Sequence, residues 1–359
     1  MAKRKSPIRQ LLSPTRIFFP IGLGLAVAGY ILFKEFDSDK MMQLDWGWHT
    51  LFWLFMALIM VATRDLGYMY RIRVLTDYKI NWRNSFDTIM LWEFASAVSP
   101  SVVGGSGVAI FIVNKEGIKL GRSTAVVMVT AFLDELFYIL MVPLVLATVG
   151  TEFLFPAEAE SYMGSKYGPQ VVFYIGYGFI MLLTMMILLS IFAFPKATKK
   201  LLVSITSISF LKKWQDSAAE TGDDLITTSK ELKGKSAGFW AKAFGATFFS
   251  WTARFWVVNC LIMAIATIGF NDHMMVYARQ LVMWVIMLIS PTPGGAGIAE
   301  IAFQGFLSDY IALGMAGTVA LLWRIFTYYP YLFLGAVILP RWIRKVYLGR
   351  KLINFKDPS

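Results

Sequence analysis

Residues 290–300 run from Ser290 to Glu300 and hold Pro291, Pro293, Gly294, Gly295 and Gly297 between two strongly apolar segments, Val276 to Ile289 and Ile298 to Leu307. Each flank is about 10–14 residues long, too short for a helix to cross a hydrocarbon core of about 30 Å. A chain that enters lipid, breaks on Pro-Gly-Gly and leaves again predicts a re-entrant hairpin of two half-helices. Broken backbone at that depth is tolerated only inside protein or beside a water-filled space. The motif therefore predicts a cavity.

An upstream segment repeats the pattern, from Ser99 and Pro100 through Gly104, Gly105 and Gly107 to Ala109. The offset from Gly104 to Gly294 is 294 − 104 = 190, and the same offset links Gly107 to Gly297, Ala109 to Ala299 and Arg64 to Arg254. A shared offset across two loops and an arginine predicts an internal duplication.

With 57% hydrophobic and 16% charged residues, against about 25% charged in soluble domains, the chain reads as an all-α polytopic membrane protein. One cysteine, Cys260, excludes an internal disulfide framework, and two histidines, His49 and His273, argue against a histidine metal site. No metal or other cofactor is expected. The net charge of +11 is read through its placement in loops, because lysine and arginine gather on the cytoplasmic side; nucleic acid is not an expected partner.

The basic N-terminus, residues 1–16, carries no acid and precedes an apolar run at 17–33. Residues 34–45 hold four acids against two lysines and read as external; 71–83 hold four basic residues against Asp77 and read as internal. Residues 151–170 hold three glutamates against one lysine and read as external. The hairpin at about 84–117 must then start and finish inside. Repeat 1 occupies 17–149. Repeat 2 occupies 170–340, with a cytoplasmic connector at 195–236, in which 201–214 reads as an amphipathic surface helix, and a second hairpin at about 275–308. The tail, 341–359, has six basic residues against Asp357. The expected architecture is two inverted-topology repeats, each of three transmembrane helices plus one re-entrant hairpin, with both termini cytoplasmic in the inner (cytoplasmic) membrane. Inverted repeats with broken helices at their interface are the pattern of secondary transporters.

Charges at membrane depth are functional candidates. Arg64 and Arg254 fall about sixteen residues into their helices, where snorkelling to the far interface competes with placement beside the hairpins. Arg324 lies deeper in its span. Asp134 and Glu135 are adjacent, about 100° apart on a helix, so one of them is expected to pair with Arg324 or Arg254. Glu300 sits in the first turn of the second descending half-helix, and Glu93 on the first ascending one; these four acids are candidates for proton coupling or headgroup pairing. Gly104, Gly105, Gly294 and Gly295 expose backbone N–H groups where half-helices begin, an arrangement that attracts anions. Arginine adds planar recognition of phosphate. The expected partner is a phospholipid or a polyprenyl-phosphate lipid.

The segment Ser290 to Glu300, followed by Trp323 and Arg324 in the next helix, resembles the lysylphosphatidylglycerol synthase transmembrane (flippase-like) family over about residues 15–345. The resemblance implies the flippase half of a multiple peptide resistance factor without its synthase domain, and hence a lipid flippase or lipid-linked transporter with no catalytic residues. Where the family often carries a Glu-Arg pair after the first Gly-Gly loop, this chain has Asp134 and Glu135, so lipid choice is not carried over. The alternatives are a membrane-embedded transferase acting on lipid-linked sugars and a secondary transporter of small solutes or ions.

Overall fold

The structure, a computed structural model, describes residues 46–99, 102–157, 159, 168–208, 212–288, 298–311 and 315–354. Among the described residues the secondary structure is helical, without strands. The first expected span, 17–33, and the second Pro-Gly-Gly turn with Gly294 and Gly295 lie outside them.

Five stretches are long and apolar enough to cross a membrane: Trp48–Leu75, Leu120–Val149, Gly168–Ala193, Ala237–Ile265 and Ala316–Val346. Three spans expected in each of two repeats make six, and the first of them, 17–33, is not among these five because it lies outside the described residues. The longer elements are α1 (Trp48–Leu75), α2 (Trp82–Val98), α3 (Val102–Lys115), α4 (Leu120–Val149), α5 (Gly168–Leu188), α6 (Pro195–Thr206), α7 (Gln215–Lys233), α8 (Ala237–Ile265), α9 (Phe270–Leu288), α10 (Ile298–Leu307), α11 (Ala316–Thr327) and α12 (Tyr329–Asn354).

Their ends follow local chemistry. The Asn81 side chain accepts from the Asn84 N–H and opens α2, and Ser236 accepts from the Phe239 N–H and opens α8. Ser99 precedes Pro100 and is extended, φ −87° and ψ 137°, because a residue before proline is pushed out of the helical region; α2 stops there. α6 begins with Pro195 at its first position, where a missing N–H costs nothing. The amphipathic helix of the connector is therefore Pro195–Thr206, earlier than the 201–214 expected.

Outward faces are apolar. Phe52, Phe55 and Leu58 on α1 and Ile175, Phe179 and Leu182 on α5 are exposed, whereas Arg64, Arg71, Glu135, Arg279, Glu300 and Arg324 are buried. This reversal of the soluble pattern fits hydrocarbon as the surrounding solvent.

α1 and α8 form the most extensive helix pair and run antiparallel. Thr50 Oγ1 donates to the Ala264 carbonyl, Ser250 Oγ to the Arg64 carbonyl, and Arg71 to Thr247. Gly67 lets the backbones close: a Cβ there would lie 2.1 Å from Ser250 Oγ and 3.1 Å from the Ala246 carbonyl oxygen.

α2 and α3 pack against one another. A Cβ at Gly105 would sit 2.2 Å from Ser96 Oγ, so glycine sets the approach of the two arms. At the open end of this pair, Lys345 Nζ donates to Asn84 at 2.9 Å and lies 3.4 Å from Glu116. The same end carries Asp77, which binds Arg122 at 2.7 Å and Lys235 at 2.6 Å. α9 and α10 also pack together: Arg279 donates to the Phe306 carbonyl (3.0 Å), to Asp309 (2.6 Å) and to the Phe153 carbonyl (2.9 Å). Phe153 lies just past the C-terminal end of α4, whereas Arg122 lies at its N-terminal end. α9 is 19 residues long, about 28 Å at 1.5 Å per residue, which exceeds the 10–14 residues assigned to that arm. Its first turn, 270–273, is polar enough to hide from a search for apolar runs, and the Asp272 carboxylate anchors it by accepting the Gly269 N–H.

Candidate functional site

Helical periodicity aims one face of each of several helices at a common space. α1 contributes Arg64, Tyr68, Arg71 and Ile72; α2 contributes Ile89, Trp92, Glu93, Ser96 and Ala97; α4 contributes Thr130, Ala131, Asp134, Glu135 and Tyr138. These are i, i+3/i+4, i+7/i+8 stripes. Trp251, Arg254, Trp284, Arg324 and Tyr331 complete the wall of a cavity of about 330 Å³, a volume in the range of small-ligand sites. Two large hydrophobic clusters meet at it, one containing Phe137, Phe255 and Met283, the other Tyr68, Ile72 and Ile89.

The charges in this space are organised as pairs, as burial demands, since an unpaired ion removed from water costs several kcal/mol. Arg71 holds Asp134 through two contacts, 2.5 and 3.2 Å, and Trp251 Nε1 donates to the same carboxylate at 2.7 Å. Arg324 Nε lies 2.7 Å from Glu300 Oε1, with both side chains under 10% exposed, and its guanidinium stacks 4.2 Å from the Tyr328 ring. Arg64 lies 2.5 Å from Glu93 and 3.4 Å from Asp65. The Tyr331 hydroxyl accepts from Arg64 and donates to Asp65 at 3.0 Å.

Arg254 differs. Among the described residues Glu93 is the one carboxylate in ion-pair range, at 3.7 Å, and the buried Arg254 Nε, like that of Arg64, makes no hydrogen bond there. Its guanidinium rests between Trp251 (4.8 Å) and Trp284 (5.0 Å), a cation–π setting that holds the charge without saturating its donors. Glu135, also on the wall, has no ion-pair partner among the described residues.

The cavity thus gathers Arg64, Glu93, Asp134, Glu135, Arg254 and Arg324, and Glu300 stands behind Arg324. Several pairings differ from those expected. Asp134 binds Arg71, not Arg324 or Arg254. Asp134 and Glu135 both line the cavity, which is wide enough to subtend the 100° between them. Arg64 is 1% exposed, so it does not snorkel. Arg64 and Arg254 both meet Glu93 on α2, and Arg254 also stacks on Trp284 of α9. Gly105 lies in the first turn of α3 and is not among the described lining residues, whereas Ser99 and Ser106 are; Gly104 lies outside the residues whose surroundings are described.

Sequence reading missed Arg71, Asp65 and Tyr331. Arg71 was assigned to the following loop, although its spacing of seven from Arg64 is two helical turns and places both on one face. Asp65 stands beside an arginine at membrane depth, a signal of the same kind. Among the described residues no group of three or more His, Cys, Asp or Glu could hold a metal ion.

A helical bundle with apolar flanks and an interior charged cavity defines a multi-pass membrane protein with a polar site among its helices. The chain belongs to the family of the lysylphosphatidylglycerol synthase TM region, whose model matches residues 17–335, a membrane domain linked to lipid handling. It is similar to a UPF0104 membrane protein of Archaeoglobus fulgidus, at 24% identity over 297 residues, covering 79% of this chain and 84% of that protein. No solved structure matches.

Proposed function

We propose that the chain is a lipid flippase or lipid-linked transporter that moves a phosphate-bearing headgroup between leaflets through this cavity. The observation that carries the reading is Arg254: a guanidinium on the cavity wall, flanked by two tryptophans, whose one carboxylate in range among the described residues stands 3.7 Å away. Guanidinium forks match phosphate oxygens, and a water-poor site strengthens the attraction. Arg64 and Arg324 stand on the same wall and supply further positive potential, while Glu135, with no ion-pair partner among the described residues, is placed to meet a cationic part of the headgroup.

An inverted-repeat architecture with two re-entrant hairpins accompanies this reading. It is supported by the bridge from Lys345 to Asn84 and Glu116, which joins the start of α2 to the end of α3 at one face. It is also supported by the Arg279 bonds, which tie α9 and α10 to Phe153 beyond the opposite end of α4. The contacts of α1 with α8 pair residues whose numbers sum to about 314 (50 + 264, 64 + 250). With an offset of 190, helices paired in that register cross near 62 and 252, each beside its own counterpart. The face holding Asp77, Arg122, Lys235 and Lys345 is the basic one, and we assign it to the cytoplasm.

The test is transbilayer movement of a fluorescent phosphatidylglycerol in liposomes containing the purified protein, read by dithionite quenching. Wild type is expected to expose inner-leaflet probe faster than empty liposomes, and Arg254→Ala to lower the rate at least about tenfold, the loss of roughly 1.4 kcal/mol of headgroup interaction. Equal rates for wild type and Arg254→Ala refute the reading.

A further inference from the structure

Glu93 sits where the proposed ligand would bind. Its carboxylate is 2.5 Å from Arg64 and 3.7 Å from Arg254, so one anion from α2 bridges a cation on α1 and another on α8. The two arginines do not depend on it equally. Arg64 keeps Asp65 at 3.4 Å and the Tyr331 hydroxyl if Glu93 departs. Arg254 has no second carboxylate in range among the described residues.

From this asymmetry we infer that Glu93 is a resident stand-in for the ligand's phosphate, and that headgroup binding at Arg254 exchanges the carboxylate for the phosphate and releases α2. The inference rests on the proposed phosphate site and adds its regulation. Charge counting favours exchange over addition. Four arginines, Arg64, Arg71, Arg254 and Arg324, already face five carboxylates, Asp65, Glu93, Asp134, Glu135 and Glu300, and a phosphate added on top increases the excess of acids in a poorly solvated space.

The exchange also has a mechanical outlet. Glu93 lies three residues, about one helical turn, before Ser96, the residue against which Gly105 closes. The α2–α3 hairpin therefore responds as one body when its carboxylate lets go of α8. Occupancy of the cavity and the position of the hairpin become two readings of one equilibrium, since a ligand shifts a conformational balance by its difference in affinity for the two states.

The sign of a mutational effect separates this from a structural role. If Glu93 only braces the arginines, its loss weakens the site; if it competes, its loss strengthens it. Binding to the purified full chain in detergent is measured by calorimetry with dihexanoyl phosphatidylglycerol, with inorganic phosphate and dihexanoylglycerol as parallel probes. Glu93→Gln is expected to bind the phospholipid about tenfold more tightly than wild type, about 1.4 kcal/mol, and dihexanoylglycerol to show no such gain. A matching gain with inorganic phosphate identifies free phosphate as a sufficient ligand; a gain confined to the phospholipid identifies the headgroup, and the exchange stands in both cases. Unchanged or weaker phospholipid binding by Glu93→Gln, with binding lost in Arg254→Ala, overturns the exchange and leaves the phosphate site intact. Undiminished binding in Arg254→Ala overturns both.

A second measurement keeps Glu93 in place. Spin labels at the exposed positions Val108 on α3 and Phe249 on α8 are expected to change separation by about 2 Å, the scale of helix shifts in switching proteins, when phosphatidylglycerol is added. An unchanged separation at saturating lipid overturns the exchange whether or not Glu93→Gln folds.

Discussion

The Arg324–Glu300 pair allows the energetics of the site to be tested apart from transport. Its atoms are 2.7 Å apart and the side chains are 5% and 7% exposed. At an effective dielectric constant of about 20, unit charges at that distance attract by about 6 kcal/mol, and the desolvation of both groups offsets much of this. Removing one partner leaves the other buried and uncompensated, at a cost of about 3–5 kcal/mol. Glu300→Leu and Arg324→Leu are each expected to lower the unfolding free energy by that amount in mixed-micelle denaturation. The double variant removes both charges and is expected to lose less than either single one. The quantity to extract is the coupling energy of the double-mutant cycle, expected to exceed about 2 kcal/mol. Strictly additive losses, or single losses below about 1 kcal/mol, would show that the pair does not bind α10 to α11 as described.

Two further perturbations test neighbouring features. Arg71→Lys keeps the charge but gives up the two-pronged contact to Asp134, and it is expected to cost about 1–2 kcal/mol in the same denaturation, with Arg71→Ala costing more; equal stability of all three proteins would dismiss the pairing. Gly105→Val drives a side chain into Ser96 and is expected to cost about 1–3 kcal/mol, partly restored by Ser96→Gly, and a tolerated valine would mean the arms of the hairpin are not in contact there.

Much of the bundle could be read from apolar run length alone, because a span needs about 20 residues whatever its neighbours do. That is why α1, α4, α5, α8 and the α11–α12 stretch were anticipated. The break at Ser99 was legible in Pro100. Helix starts were harder, since capping by Asp272 extends α9 into polar sequence. At the site, the need to bury charge pointed to Arg64, Glu93, Arg254, Glu300 and Arg324, but not to who pairs with whom. Partner choice depends on rotations and crossings between helices far apart in sequence. Asp134 is 63 residues from Arg71, and no local pattern selects that arginine over Arg254. The glycines illustrate a different ambiguity: Gly105 is equally suited to binding an anion with its backbone and to admitting a neighbouring side chain, and contact with Ser96 is what it makes.

The seam between α1 and α8 has a consequence for motion. With Gly67 against Ser250 there is no slack at that crossing for sliding or swelling without opening voids that a close-packed interior resists. The two helices form a fixed axle, and whatever turns in this protein turns around it. Arg64 and Arg254 are mounted on the axle itself, so under the proposed transport function a headgroup held by them would stay still while the helices around it move.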